Sequence, residues 1–344
     1  MPLVSIIVPC RNESRYIELC IRSILAQDFP PTDFEVVVVD GMSDDGTREI
    51  LARLAKPNTN LRVVDNPSRS TPCAFNIGIE AARGQHVAIL GAHTEYAPTY
   101  VRTCTELLAA HPEACCVGGP IISKGRGLFG RAVAAVMAHP VGIGNAKHRY
   151  PNYEGYAEGA CFPMFRKAVF DKIGLYDPSL IRNQDDELNY RVALHGEKVF
   201  ISPKAQCTYF VRETPSELFR QYFQYGYWRV AVLRKHRLPS AFRQIVPPCF
   251  LLLSCITLVG GLLLPSWWRL TAAFLPFIYG GILTAVGVGL VRTSGWRIGL
   301  LVPVAASIIH TAYATGFTWA AVSSRRPVVS SPSHMKGECH ASRT

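Results

Sequence analysis

Between Glu217 and Glu338 the chain contains no Asp or Glu. Residues 218–344 hold 13 Lys or Arg against one acid, whereas residues 1–217 hold 23 against 24. The net charge of +11 over 344 residues therefore comes from the C-terminal part alone. The near-neutral first part lacks a long Lys/Arg stripe with interleaved aromatics, which excludes a nucleic-acid binder. The basic, apolar second part predicts positive charge facing anionic lipid. The eleven cysteines show no C-x-x-C and no metal-ligand spacing, and Cys115 and Cys116 are adjacent. Small buried thiols in a reducing compartment are therefore expected in preference to a metal site or disulfides. The N-terminus has no signal-peptide pattern, because its apolar run meets Arg11 and Glu13 at once. The first half is expected to stay in the cytoplasm.

Two short runs are present instead. Residues 4–10 read Val-Ser-Ile-Ile-Val-Pro-Cys, and residues 34–40 read Phe-Glu-Val-Val-Val-Val-Asp. Each stops abruptly at polar and turn-forming residues, the pattern of a parallel strand buried on both faces. Ligands in open α/β sheets bind beyond the carboxyl ends of such strands. Asp40 and the Asp44-Asp45-Gly46-Thr47 turn are thus expected in a ligand crevice. Residues 14–27 predict a helix with Ser14 as N-cap and Ile17, Cys20, Ile21, Ile24 and Leu25 at helical spacing. Further strands at 61–64 and 86–90 alternate with helices at 47–54 and 71–82. This alternation predicts a doubly wound, mainly parallel α/β fold.

From Ile245 the composition changes. Stretches 247–267, 270–291 and 298–322 contain no charged residue, and each is long enough to cross a membrane. Arg229, Arg234, Lys235, Arg237 and Arg243 precede them, which places the domain before them on the cytoplasmic side. Arg325 and Arg326 oppose that rule if all three stretches cross. The expected organisation is a catalytic domain at 1–215, an amphipathic interfacial helix region at 216–244, a membrane region of three apolar helices at 245–322, and a disordered tail at 323–344.

The two N-terminal runs, with Asn12-Glu13 after the first and Ser43 and Asp45-Gly46-Thr47 after the second, resemble the opening of family 2 glycosyltransferases. Gly41 stands where that family's second Asp is usual. The resemblance covers about residues 3–230, and succinoglycan-type exopolysaccharide transferases are the most similar branch. It implies a GT-A fold and inverting transfer from a nucleotide sugar, most simply a UDP-sugar. The acceptor it implies is a lipid-linked saccharide at the inner membrane. Pro9, Asn12, Glu13, Asp40 and Asp44 are then donor-binding, with Asp40 gripping the uracil or ribose. Arg69, near the third strand end, touches base or phosphate or is a solvated loop residue.

The family's Asp-x-Asp at the fourth strand end is replaced by Gly91-Ala92-His93, with Glu95 following. The succinoglycan branch has a similar Asp-Ala-His segment. His93 is therefore the expected ligand of a divalent cation, Mg2+ or Mn2+, with a structural strand-end His as the alternative. Residues 183–191, Asn-Gln-Asp-Asp-Glu-Leu-Asn-Tyr-Arg, resemble the family's acidic motif. The resemblance makes Asp185 the general base that takes the acceptor proton. Gln184 and Arg191 belong to the acceptor or diphosphate surface, and Asp186 is the fallback base. Arg220, Trp228 and Arg229, in a segment similar to that of lipid-linked-sugar transferases, join that surface or anchor the helix at the membrane. A polyprenyl-phosphate sugar synthase, a processive synthase and an inactive sugar-nucleotide-binding protein remain the alternatives.

Overall fold

A computed structural model of the protein describes residues 1–205, 207–237, 242–263 and 274–323. The expectations for the tail, for Arg325 and Arg326, and for the apolar residues at 264–273 lie outside these residues. The described strands are β1 (Val4–Cys10), β2 (Phe34–Asp40), β3 (Leu61–Asp65), β4 (His86–Ile89), β5 (Ala114–Gly119), β6 (Ile121–Lys124), β7 (Gly155–Ala157), β8 (Cys161–Arg166), β9 (Lys198–Ile201) and β10 (Cys207–Phe210). The helices are α1 (Ile17–Leu25), α2 (Thr47–Ala55), α3 (Thr71–Ala81), α4 (Tyr100–Ala110), α5 (Leu128–Met137), α6 (Pro140–Ile143), α7 (Val169–Ile173), α8 (Gln184–Leu194), α9 (Pro215–His236), α10 (Val246–Leu263), α11 (Phe274–Ser294) and α12 (Trp296–Val322).

Two compact units emerge. The first comprises Met1–Ile121 and Pro151–Cys207. Its eight-stranded sheet has the order β3-β2-β1-β4-β8-β5-β9-β7. β1 pairs in parallel with β2 and β4, and β2 with β3, whereas β8 runs antiparallel to both its neighbours. The sheet is covered on both faces, and the period-2 alternation of strands assigns residues to each. Ile6, Val8, Val36 and Val38 enter one apolar cluster; Ile7, Val37 and Val39 enter the other. α1 buries Ile17, Cys20, Ile21 and Ile24, one stripe at helical spacing. It starts at Ile17 rather than at Ser14, because Ser14 donates its backbone N–H to Asp45 Oδ2 at 3.0 Å and belongs to the preceding turn. Cys10, Cys20, Cys104, Cys115 and Cys116 are buried free thiols, whereas Cys73 is disulfide-bonded, against the expectation of free thiols alone.

The second unit comprises Ile122–Tyr150 and the described chain from Thr208. Residues 122–150 thus group with the C-terminal helices. The reason is packing: Ala132, Val133, Val136 and Met137 of α5 share an apolar cluster with Val302, Ala305 and Ile309 of α12. α9 buries Leu218, Tyr222, Gly226, Arg229 and Val230. It meets α12 backbone to backbone. A Cβ on Gly226 would lie 2.0 Å from Tyr313 O, and one on Gly316 would lie 2.0 Å from Phe223 O. Small residues at both crossing points allow this approach. Arg234 closes the C-terminus of α12 by donating to Ala320 O at 3.0 Å and Ala321 O at 3.2 Å.

Of the three expected spans, α11 and α12 are long and apolar enough to cross a membrane. α10 is apolar but shorter. Phe274, Phe277, Ile282 and Val288 of α11 are exposed, an outward apolar face suited to lipid.

Candidate active site

The register brings three strand ends level. Cys10 pairs with Asp40, and Asp40 with Asp65. The loops that follow are therefore neighbours. In the first unit the non-glycine residues with positive φ are Asn12 (55°), Met42 (58°), Arg69 (57°), Phe162 (44°) and Asn183 (60°). Three follow β1, β2 and β3, and Asn183 precedes the acidic helix α8. Such backbone conformations cost about 1–3 kcal/mol each and cluster at functional sites.

The first two loops are stitched together by their own polar groups. Asn12 N–H donates to Ser43 Oγ at 2.8 Å, and Asp44 N–H donates back to Asn12 Oδ1 at 3.1 Å. Glu13 N–H donates to Thr47 Oγ1 at 2.9 Å. Asp45 accepts from Thr47 Oγ1 at 2.6 Å and from Ser14 N–H. The Thr47 hydroxyl bond, ahead of the others, holds its carboxyl well below the usual carboxylate range. Pro9 lies inside β1 opposite Val39, and Asp44 is exposed beside Asn12.

Asp40 departs from its expected role. Its carboxylate is fully buried. It accepts Ser43 Oγ at 2.5 Å, Ser43 N–H at 3.1 Å and Arg48 Nη1 at 2.7 Å. Arg48 also pairs with Asp65 at 2.9 Å. With its oxygens so occupied, Asp40 organises the turn instead of gripping a base or ribose. The next position, Gly41, is covered by Arg11, whose Cβ lies 3.1 Å from where a Gly41 side chain would begin. Arg69 is exposed in a turn secured by buried Asn66, which accepts Ser68 Oγ at 2.6 Å and donates to Ser70 O at 2.9 Å.

At the end of β4 an aromatic cluster explains the missing first Asp. Tyr96 Oη accepts Gly91 N–H at 2.6 Å and donates to Gly91 O at 3.1 Å. Phe162 lies over the same backbone, and a Cβ at position 91 would sit 3.0 Å from its ring. Tyr100 donates to Phe162 O at 2.6 Å. A carboxylate at 91 would meet an apolar ring instead of water. His93 is exposed on the turn above, its Nδ1 3.7 Å from Glu13 Oε1. Glu95 is exposed nearby in sequence. Among the described residues, no three His, Cys, Asp or Glu side chains form a metal-holding group.

α8 presents the acidic motif. Asn183 turns the chain in a left-handed conformation, and Asp185, Asp186 and Glu187 occupy the first helical turn. Their charges are stabilised there by the helix dipole. The three acids differ. Glu187 is fully buried and pairs with Arg191 at 2.8 Å. Arg191 also donates to Gly174 O at 3.1 Å, to Leu175 O at 2.7 Å and to Ile173 O. Arg191 is thus a clamp on the 173–175 turn, not an acceptor contact, because its guanidinium is spent on these groups. Asp185 and Asp186 are reached by solvent. Desolvation first and the Asp186 charge second push the Asp185 pKa up to about 7. Gln184 is buried, and its Oε1 is enclosed without a hydrogen-bond partner.

Arg220, Trp228 and Arg229 belong to α9 of the second unit, where Arg220 is exposed, Trp228 half-buried and Arg229 buried.

Comparison with known proteins decides the family. The sequence model described as glycosyl transferase family 2 matches residues 5–174. The succinoglycan biosynthesis protein ExoA of Rhizobium meliloti is 32% identical over 319 residues, 91% of this chain and 93% of that protein. This chain belongs to glycosyl transferase family 2. A Methanococcus voltae enzyme named dolichyl N-acetyl-alpha-D-glucosaminyl phosphate 3-beta-D-2,3-diacetamido-2,3-dideoxy-beta-D-glucuronosyltransferase is 26% identical over 68% of this chain and 75% of its own length. The mannosyltransferase PcManGT from Pyrobaculum calidifontis, solved with GDP-Man and Mn2+, superposes with a TM-score of 0.59 at 21% identity, covering 91% of this chain and 87% of that one. That likeness shows the GT-A fold. This family 2 glycosyltransferase has features its motifs do not disclose. Arg48, Tyr96 and Phe162 shape the site, yet only the aromatic spacing of Tyr96 and Tyr100 gave any local signal.

Proposed function

We propose that this family 2 glycosyltransferase moves a sugar, with inversion, from a nucleotide sugar, most simply a UDP-sugar, to a hydroxyl of a lipid-linked saccharide. The reading is supported by Asp185, a carboxylate open to solvent and tuned toward neutrality, with the enclosed Gln184 Oε1 one residue before it. A base is most effective when its pKa lies near the working pH. In the reaction, the acceptor hydroxyl oxygen forms a bond to the anomeric carbon as that carbon's bond to the nucleotide diphosphate breaks. The electron pair leaves with the diphosphate, and the hydroxyl proton passes to Asp185. Gln184 Oε1 accepts a hydrogen bond from the saccharide and orients it. Pro9, Asn12, Glu13, Asp44 and Arg69 receive the donor at the strand ends. Arg220 and Trp228 anchor α9 at the membrane surface, and Arg229 is buried within its own unit.

A cation carried by the diphosphate needs only one or two protein donors. His93 and Glu13, 3.7 Å apart, are the pair that fits it. His93 and Glu13 would hold Mn2+ or Mg2+, which would supply positive charge against the leaving diphosphate. The lipid acceptor is supported by the dolichyl phosphate in the name of one relative and by two helices able to cross a membrane in this chain. The basic residues before α10 support a catalytic domain on the cytoplasmic side of the inner membrane. Within this reading, the first unit, Met1–Ile121 with Pro151–Cys207, forms the catalytic domain, 216–244 the interfacial region and 245–322 the membrane region.

The test uses purified full-length protein, a panel of nucleotide sugars and a membrane lipid extract, with product analysis. A glycosylated lipid of inverted configuration is expected. Asp185→Asn should lower turnover by about 10²–10⁴-fold while nucleotide affinity stays within about twofold. Near-wild-type turnover in that variant would reject Asp185 as the base and favour an acceptor that is already an anion, as in a polyprenyl-phosphate sugar synthase.

A further inference from the structure

The second unit is a cationic body with little anionic counterweight. Its two segments carry 17 Lys or Arg and two acids, Glu213 and Glu217. Glu213 is occupied, accepting the backbone N–H of Arg126 at 2.7 Å and of Gly127 at 3.0 Å. Glu217 is exposed in the first turn of α9.

Among the described residues, two guanidinia in this body have Nε and Nη1 shut off from solvent, those of Arg229, buried within α9, and of Arg149, a half-buried residue outside that helix. Arg149 ends the 3-10 turn Lys147–Arg149. Its Nε and Nη1 are shut off from solvent, and neither has a hydrogen-bond partner. Its neighbours are aromatic. The Tyr209 ring centre lies 5.9 Å from its central carbon. Its charge also reaches the buried Tyr222 hydroxyl. Gln221 donates to Tyr209 Oη at 2.8 Å and to Tyr225 Oη at 3.1 Å, which fixes these tyrosines. Arg243 adds a second positive charge to the same segment by donating to Asn145 O at 3.1 Å.

Enclosed N–H groups of a cation that go unmet, as at Nε and Nη1 of Arg149, are costly to fold around. Neither acid of the unit meets them. An oxyanion from outside the chain would, and a planar guanidinium suits the oxygens of a phosphate. The same unit carries α11 and α12, the two helices able to cross a membrane, so a phosphate borne on a lipid is the source at hand.

We propose that Arg149 binds the phosphate of a phosphate-linked lipid. Its identity as the acceptor's carrier rests on the function proposed above; the anion site itself rests on the geometry of Arg149. Full-length protein in neutral detergent would be titrated with farnesyl phosphate, uncharged farnesol, inorganic pyrophosphate and UDP, with affinity and melting temperature as readouts. Farnesyl phosphate should bind and raise the melting temperature, and farnesol should do neither. Arg149→Gln should weaken farnesyl phosphate about 10–100-fold and leave UDP unchanged, with Arg149→Lys in between. Ligand-free Arg149→Gln should melt no lower than wild type, since it loses an unmet charge. Equal farnesyl phosphate affinity in Arg149→Gln and wild type would overturn the proposal. So would a fall in the melting temperature of the ligand-free variant, which would assign Arg149 to packing. Weakened pyrophosphate and UDP with unchanged farnesyl phosphate would overturn the lipid source in favour of the nucleotide. Failure of wild type to bind any nucleotide sugar would count against glycosyl transfer and leave the farnesyl phosphate result standing.

Discussion

Asp185 and Glu187 are two residues apart on one helix, yet their environments give them opposite work. Glu187 is buried against a cation and stays committed to it. Desolvation first and the charge of a second acid, Asp186, raise the pKa of Asp185 to about 7. A base must be unprotonated to accept a proton. Activity should therefore fall as pH drops through about 7. Asp186→Asn removes the second cause of the shift, so the acid limb of kcat/KM should move to lower pH in that variant. An unmoved limb would show that Asp186 does not act on Asp185. The same sign governs folding. A raised carboxylate pKa contributes stability below the unfolded value of about 3.9 and loses it as pH rises toward the folded value.

At the scale of elements, α8 is positioned by the pair on its inner face. Arg191 holds the carbonyls of 173–175, and Asn76 of α3 holds the next residue, accepting Tyr176 N–H at 2.9 Å and donating to Tyr176 O at 2.8 Å. Two elements thereby fix the approach to the acidic helix. Glu187→Gln leaves the buried guanidinium without its counter-charge and should cost about 3–5 kcal/mol of stability. Denaturant unfolding measures it. Arg191→Lys should not substitute, because one ammonium cannot span a carboxylate and three carbonyls. A loss below about 1 kcal/mol in Glu187→Gln would mean that the pair behaves as a surface ion pair.

For the whole molecule, the outward apolar faces of α11 and α12 predict integral attachment. Alkaline carbonate should leave the full-length protein in the membrane pellet, and detergent should release it. Recovery in the carbonate supernatant would mean that these helices pack only against protein. High salt should release little, because screening acts on charge and not on buried apolar surface.

The first four strands, the mainly parallel sheet and the acidic motif were legible in the chain because each depends on local pattern. Runs such as Val36 to Val39 have no polar face to expose, and the turn residues after them can do little but end a strand. The family was legible for the same reason, since its motifs sit in those turns. The fate of individual side chains was not. Asp40 looks like a ligand-gripping carboxylate in sequence, and it becomes a buried turn organiser because Arg48, eight residues on, folds back to it. Arg191 becomes a clamp because three carbonyls from a distant turn converge on it. Gly91 is explained by Phe162, which lies 71 residues away in sequence. Residues 122–150 join the C-terminal helices because α5 finds its apolar partner in α12. Periodicity and turn chemistry act between near neighbours, so sequence alone determines them. Which group a side chain meets across the fold depends on packing, and only the tertiary structure decides that.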